Sequence, residues 1–420
     1  MYTIALYIYA IGALFASIFN KKIRKIVAGI PHTFSILKEQ IKPTDRVVWF
    51  HAASLGEFEQ GRPLMERLRK THPEYKILLT FFSPSGYEVR KNYEGADVIC
   101  YMPFDTPGNV ASFLRLAHPE IALFIKYEFW TNYLTMMRNK GMKIYSISSI
   151  FRPQQHFFKW YSSTKALECF DHLFVQNEES KELLAKHGIT NTTVVGDTRL
   201  DRVLEIRAQA ADLPLVEIFK NGKKTFIAGS SWQPDEAIYI PYFAQHKDWK
   251  LIIAPHVIGE PHLSELRTML KDRKVVYYKD MEERLKSACN NASMLEVVKK
   301  ELAEAEVLIV NCFGKLSSIY RYGEIAIVGG GFGVGIHNVP EAAVYGIPVM
   351  FGPKNKKFRE AQQLIKCGGS FEYTSKETFA ALMDRFISEP EFLAEAGKKA
   401  GDYIKSNAGA SEKCFKHIFG

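Results

Sequence analysis

Apolar residues along this chain fall mostly in short unbroken runs. Each run is followed by a longer stretch in which apolar positions recur every three or four residues. In the first half the runs lie at 46–51 (RVVWFH), 76–82, 97–102, 120–127, 142–150, 172–176 and 192–195. Helical periodicity fills the gaps, as at 57–71 and 128–140. Unbroken runs of this length mark strands buried on both faces, and their alternation with helices predicts βαβ units around a parallel sheet. Around 204–224 the pattern lapses into a mixed, Lys-flanked stretch containing Pro214. A second series follows at 225–228, 250–254, 274–278, 306–310, 325–328 and 348–351. The predicted fold is therefore α/β, with two doubly wound Rossmann-like domains facing a cleft and joined near residue 210. No internal repeat, low-complexity tract or coiled-coil heptad interrupts it.

The first residues break this pattern. Positions 2–19, YTIALYIYAIGALFASIF, carry no charge, and a basic run follows with Lys21, Lys22, Arg24 and Lys25. Eighteen helical residues span ~27 Å, just short of a ~30 Å hydrocarbon core. Tyr2, Tyr7 and Tyr9 suit a membrane interface. A cleaved signal peptide carries its charges before the apolar stretch, not after it. A buried core helix is the bland alternative. The arrangement favours an anchor at 1–20, spanning or monotopic, with its basic flank on the cytoplasmic side. That leaves 21–208 as a first domain and 209–420 as a second.

Composition narrows the partners. The 420 residues suit two to three domains at ~150 residues each. A 47% hydrophobic and 24% charged content excludes disordered and collagen-like classes. Lys and Arg exceed Asp and Glu by 55 − 46 = 9. That excess suits nucleic acid, a phosphorylated substrate or an acidic lipid surface, and equally a merely solvated basic surface. Cys100, Cys169, Cys289, Cys312, Cys367 and Cys414 are scattered without a CxxC pair. They indicate neither a zinc site nor a disulfide framework, but core thiols in a reducing compartment.

In open α/β sheets ligands sit beyond the carboxyl ends of the strands, and six loops there carry unusual residues. HAASLGE (51–57) has small residues, Ser54 and Gly56 among them, that let backbone approach a ligand. Its Glu57 either complements a helix dipole or serves as a general base. KYEFWTN (126–132) puts Glu128 where a strand becomes a helix, as a cap or as a second acidic group. GSSWQPDE (229–236) offers Ser230 and Ser231 before a helix, as a cap or facing a phosphate. Pro255 and His256 close the next strand. NCFGKLSS (311–318) sets Gly314, Lys315 and Leu316 at a helix start, where a lysine is electrostatically awkward unless an anion is bound. GGGFGVGIHNVPEAAVYGIPVMFGP (329–353) holds Gly330, Gly331, Asn338 and Glu341. Its glycines do not fit GxGxxG, but a helix start with a nearby acid suits a nucleotide sugar. No GxxxxGK[ST] loop and no HExxH appear.

Taken in order, these segments resemble the 3-deoxy-D-manno-octulosonic acid (Kdo) transferase family of lipopolysaccharide assembly. The carrying stretches are the apolar N-terminus, HAASLGE, YMPFD (101–105), KYEFWTN, VVGDTRLDRV (194–203), the GSSW…DE segment, NCFGKLSSIY and the long glycine segment. The resemblance implies a GT-B fold and transfer of Kdo from CMP-Kdo to a lipid A precursor of the lipid IVA type. It implies inversion without metal or cofactor, at the cytoplasmic face of the inner membrane, and no nucleic-acid partner. It assigns Glu57 as catalytic base, with Ser54, Gly56 and Glu128 on the acceptor side. The donor side is Ser230, Ser231, Pro255, His256, Gly314, Lys315, Leu316, Gly330, Gly331, Asn338 and Glu341, the last expected on the ribose. The chain departs from its relatives where Pro-Arg-His becomes Pro255-His256, ETEIWPN becomes KYEFWTN and NARLS becomes SSIFR. It departs again where a serine becomes Gly331. Two other readings stay open from the sequence: a different nucleotide-sugar GT-B transferase, and a periplasmic solute-binding protein.

Overall fold

The computed structural model describes residues 2–159, 164–333 and 335–420; Val334, within the glycine-rich segment, lies outside them. The chain divides into two compact units, Met1–Arg202 with Asn407–Gly420, and Val203–Ser406.

The first unit is built on seven strands: β1 (Arg46–Ala52), β2 (Tyr75–Phe81), β3 (Val98–Tyr101), β4 (Ile121–Ile125), β5 (Lys143–Ser149), β6 (His172–Val175) and β7 (Thr192–Val194). They run in the order β3-β2-β1-β4-β5-β6-β7, and every pairing is parallel. Successive residues of β1 serve opposite faces. Val47 and Trp49 join one core with Ala122 and Phe124, while Val48 and Phe50 join the other with Leu123 and Ile125. Burial on both faces is why these strands read as unbroken apolar runs. The strand order reverses between β1 and β4, so a crevice opens beyond their carboxyl ends.

The second unit repeats the design with β8 (Thr225–Ser231), β9 (Lys250–Pro255), β10 (Val275–Tyr277), β11 (Val307–Ile309), β12 (Ile325–Val328), β13 (Val349–Phe351) and β14 (Ser370–Glu372). Their order is β10-β11-β9-β8-β12-β13-β14, again parallel throughout. Here the reversal falls between β8 and β12.

Helix α1 (Tyr2–Phe19) is long and apolar enough to cross a membrane, and among the described residues no other helix is. Its half-buried positions are Thr3, Leu6, Ala10, Ala13, Ala16 and Ser17, a helically spaced stripe of mostly small residues. Its exposed face carries Ile4, Ile8, Ile11, Leu14, Phe15, Ile18 and Phe19. Helix α2 (Lys21–Gln40) follows at once. Asn20 Oδ1 accepts the Lys22 and Ile23 N–H groups, and Arg24 Nε donates 2.9 Å to the Ser17 carbonyl at the end of α1.

The domain limits read from sequence need correction. Residues 204–209 are not a lapse but the end of a helix, Thr198–Gln209. The final helix, Ala410–Phe419, belongs to the first unit, although 209–420 was expected to form the second. Cys414 and Phe415 enter the core beneath β1 and β2, and Asp201 accepts the Ser411 N–H at 2.7 Å. An amphipathic helix shows that it needs a core but not which core.

Candidate functional site

Both reversal points are where the singled-out residues gather. In the first unit, β1 delivers His51 and then helix α3 (Leu55–Thr71). Ser54 is the N-cap of α3, and its N–H donates 3.1 Å to Glu57 Oε2. The bland reading of Glu57 as a helix-start carboxylate is thus present in the structure. So is something more. Burial raises the Glu57 pKa, and the negative charge of Glu128 raises it further. His51, Lys126 and the Ser54 N–H oppose this without reversing it. A carboxyl group kept above its ordinary range is a better proton acceptor near neutral pH. Gly56 is exposed, one residue before it.

Glu128 lies beyond β4, but not at a helix start. The helix there begins only at Thr131. Lys126 takes a left-handed conformation at φ +61, so the chain leaves the sheet before it can coil. The helix is capped instead by Asp105 of the YMPFD stretch. That carboxylate accepts the Asn132 N–H at 3.0 Å and the Tyr133 N–H at 2.9 Å. Glu128 is thereby released from capping and has other partners. Thr80 Oγ1 lies 2.8 Å from both Trp49 Nε1 and His51 Nδ1. An indole N–H can only donate, so the hydroxyl accepts from Trp49, and because the Glu128 carboxylate facing Nε2 needs the ring proton there, the hydroxyl's own proton serves His51 Nδ1. His51 then carries its proton on Nε2 and donates to Glu128 Oε2 at 3.1 Å. Trp130 Nε1 donates to the same oxygen at 2.6 Å. The result is a fixed carboxylate, oriented by two ring N–H groups, close enough to disturb Glu57. Beside it a 420 Å³ cavity is lined by Tyr2, Tyr127, Glu128, Trp130, Gln155 and His156, with Phe129 and Phe157.

The second unit assembles its site mainly from backbone. Asp235 is fully buried and accepts the Trp232 N–H at 3.1 Å and the Gly330 N–H at 3.0 Å. One carboxylate therefore ties the loop after β8 to the glycine loop after β12. Gly330 sits at φ +92, where only glycine is relaxed. At Gly331 a Cβ would come within 2.6 Å of the Gly352 backbone, which explains why this chain has no serine there. Glu236 is turned inward: Ser231 Oγ donates to it at 2.9 Å, and His262 Nε2 lies 2.8 Å away. Ser231 is thus buried and engaged, whereas Ser230 sits at a bulge near the end of β8 with φ +50.

Pro255 ends β9 in a buried position, and His256 emerges from it. The His256 ring stacks on Trp232 at 4.6 Å and on His337 at 4.4 Å. Trp232 Nε1 donates to His337 Nε2 at 3.1 Å, which needs that nitrogen unprotonated. Burial lowers the pKa of both histidines. Asn338 and Glu341 are brought together, the amide donating 2.7 Å to Glu341 Oε1. Lys315 differs from expectation. Its helix has only four residues, and its ammonium lies 3.6 Å from Glu282 and over the Tyr278 ring. The charge has a partner, so its awkwardness no longer argues for a bound anion. Gly314 precedes it at φ +81, and Leu316 opens the short helix. Among the described residues no group of His, Cys, Asp and Glu is arranged to hold a metal ion.

Sequence reasoning passed over His51, Thr80, Trp130, Asp105, Trp232 and His337. A polar ring in the otherwise apolar strand RVVWFH was the signal available for His51. The pairing of His51 with Thr80 across β1 and β2 was not visible before the register was known.

Residues 28–202 match the family model described as 3-deoxy-D-manno-octulosonic-acid transferase (kdotransferase). A 3-deoxy-D-manno-octulosonic acid transferase of Aquifex aeolicus is 24% identical over 84% of this chain and 89% of its own length. One from Chlamydia trachomatis is 26% identical over 76% and 73%. Among solved structures, UDP-GlcNAc 2-epimerase from Neisseria meningitidis superposes with a TM-score of 0.57 at 12% identity. It covers 89% of this chain and 99% of that one, a likeness of fold of the GT-B type.

Proposed function

We propose that this chain, as a member of the 3-deoxy-D-manno-octulosonic acid transferase family of glycosyltransferases, transfers Kdo from CMP-Kdo to a lipid A precursor with inversion. The observation that carries this reading is Glu57, half-buried at the first sheet's reversal point with its pKa raised by desolvation and by the neighbouring Glu128.

In the proposed step, the acceptor hydroxyl lies at Glu57. Its oxygen forms the new bond to the anomeric carbon of Kdo while its proton passes to the Glu57 carboxylate. The bond from that carbon to the phosphate oxygen breaks, and its electron pair leaves with CMP. Attack and departure on opposite faces invert the configuration, through an oxocarbenium-like transition state. Ser54, Gly56 and Glu128 hold the acceptor. Glu128 accepts from sugar hydroxyls in a position fixed by His51 and Trp130. On the donor side, the backbone N–H groups of Gly331 and Gly314 face the phosphate on loops whose course is set at Gly330 by its bond to Asp235, with Ser230, Lys315 and Leu316 beside it. Glu341, oriented by Asn338, takes the ribose. Pro255 and Ser231 shape the floor on which His256 is presented, and the stacked His256 stands where relatives carry an arginine.

Helix α1 fits a membrane surface at the cytoplasmic face of a bacterial inner membrane, where such an acceptor resides. Tyr2 donates 2.6 Å to Asp105, and the Tyr9 ring meets Phe104 edge-on at 5.8 Å. Contacts at both points favour a helix lying along the body, its bulky face in lipid, over one that leaves it to span the bilayer. The test is an assay of the purified chain with CMP-Kdo and a tetraacylated glucosamine disaccharide bisphosphate, read by mass spectrometry. A product heavier by one or more Kdo units is expected. Transfer from a UDP-hexose instead, or no transfer, overturns the reading.

A further inference from the structure

A second cavity in the first unit has a different character from the one beside Glu128. It measures 230 Å³ and is lined by Tyr9, Gly12, Ala13 and Ala16 of α1, Ile23 and Ile26 of α2, and Phe82 and Phe104 of the body. The only side-chain polar atom in that set is the Tyr9 hydroxyl. The volume is below the roughly 300–1,000 Å³ of ordinary small-molecule pockets, narrow for a sugar but suited to one hydrocarbon chain. The groove exists because α1 turns small residues inward while its large ones face out. A Cβ added at Gly12 would meet nothing within 4 Å.

We infer that this groove receives one acyl chain of the acceptor glycolipid while the acceptor's sugar occupies the 420 Å³ cavity at Glu128; the inference rests on the functional reading above. The two cavities are neighbours whose walls touch. Tyr2 lines the first and Tyr9 the second, seven residues apart on one helix, or about 10 Å along its axis. Trp130 of the polar cavity packs against Phe82 of the apolar one, ring centres 5.0 Å apart, and Phe82 packs against Phe104. Charge completes the match. Lys21 and Lys22 are exposed at the start of α2, the helix that contributes Ile23 and Ile26, and suit the phosphate of an anionic glycolipid. The outward face of α1 is exposed and apolar, which suits contact with the lipid from which such a chain would enter.

The experiment fills the groove. Gly12→Leu places a branched side chain into the open space, and Ala16→Leu does so one turn further along; Gly12→Ala is the small control. kcat/KM with CMP-Kdo is measured on the full-length chain for the tetraacylated disaccharide bisphosphate and for its fully deacylated form. The ratio of acylated to deacylated kcat/KM is expected to fall about tenfold in each leucine variant, the equivalent of roughly two buried methylenes, and to hold in Gly12→Ala. An unchanged ratio, or an equal fall for both acceptors, overturns the groove while leaving the transferase reading intact. Failure of the parent chain to modify either acceptor defeats the functional reading itself. A phospholipid with a photoreactive tail that labels α1 and is not displaced by the acylated acceptor assigns the groove to bulk lipid, which also overturns the inference.

Discussion

The two units share a sheet design and gather different kinds of group at its reversal point. At the first reversal point the working groups are side chains: two carboxylates, a histidine held by Thr80, and an indole N–H. At the second the working groups are glycine backbone and stacked rings, and the acids are turned inward, Asp235 onto the loops and Glu236 onto His262. The topology supplies a crevice in both cases, and the loop residues decide what it does. Side-chain carboxylates suit proton transfer, which needs a tunable pKa. Backbone N–H groups suit a phosphate, which needs fixed donors that do not titrate.

The sharpest break of this contrast is Glu57→Gln. Turnover is expected to fall ~10²–10⁴-fold, the span of a general base, with CMP binding unaltered. The same substitution is expected to raise the melting temperature at pH 7. A carboxyl whose folded pKa lies above its unfolded value costs stability when ionised. The gain should therefore shrink as pH falls through the raised folded value toward the ordinary one, as calorimetry across pH would show.

His51→Leu removes the N–H that orients Glu128. Loss of a charge-assisted hydrogen bond, ~1.5–3 kcal/mol, predicts roughly 10–100-fold lower kcat. CMP affinity by calorimetric titration should not move, because the effect belongs to the first unit.

Asp235→Ala probes the other side. It strands the Trp232 and Gly330 N–H groups, and denaturant unfolding should report a loss of roughly 1–3 kcal/mol. CMP affinity should fall with it, while hydrogen exchange around β1 and β4 stays as in the parent. Gly331→Ser, which restores the relatives' residue, should give the smallest effect. Its Cβ overlaps the Gly352 backbone, so weaker CMP binding is expected despite the added hydroxyl. Tighter binding would show that the loop adapts and that the glycine is not required by packing.

Much of this contrast was legible before the fold was known. Strands buried on both faces leave continuous apolar runs, so thirteen of the fourteen strands among the described residues were foreseen to within three residues at each end. The missing one, β14, reads Ser-Phe-Glu, a single apolar residue between two polar ones, and leaves no run to read. Loops after strands were readable because glycine and lone acids stand out against such runs. Contacts made across the sheet were not. The helix start assigned to Glu128 failed because its true cap, Asp105, arrives from a loop more than twenty residues earlier. The Trp232, His256 and His337 stack joins three loops that only the strand order β9-β8-β12 makes neighbours.

The role of Glu57 as the base is tested most directly by the pH dependence of kcat for Kdo transfer, at saturating substrates, in the native chain and in Glu57→Gln. The native rate should decline on the acid side through a single ionisation whose pKa lies above the ordinary glutamate value of about 4.3, and the residual rate of Glu57→Gln should lack that limb. A native rate that stays flat down to the ordinary glutamate range, or an acid limb that survives in Glu57→Gln, would contradict it.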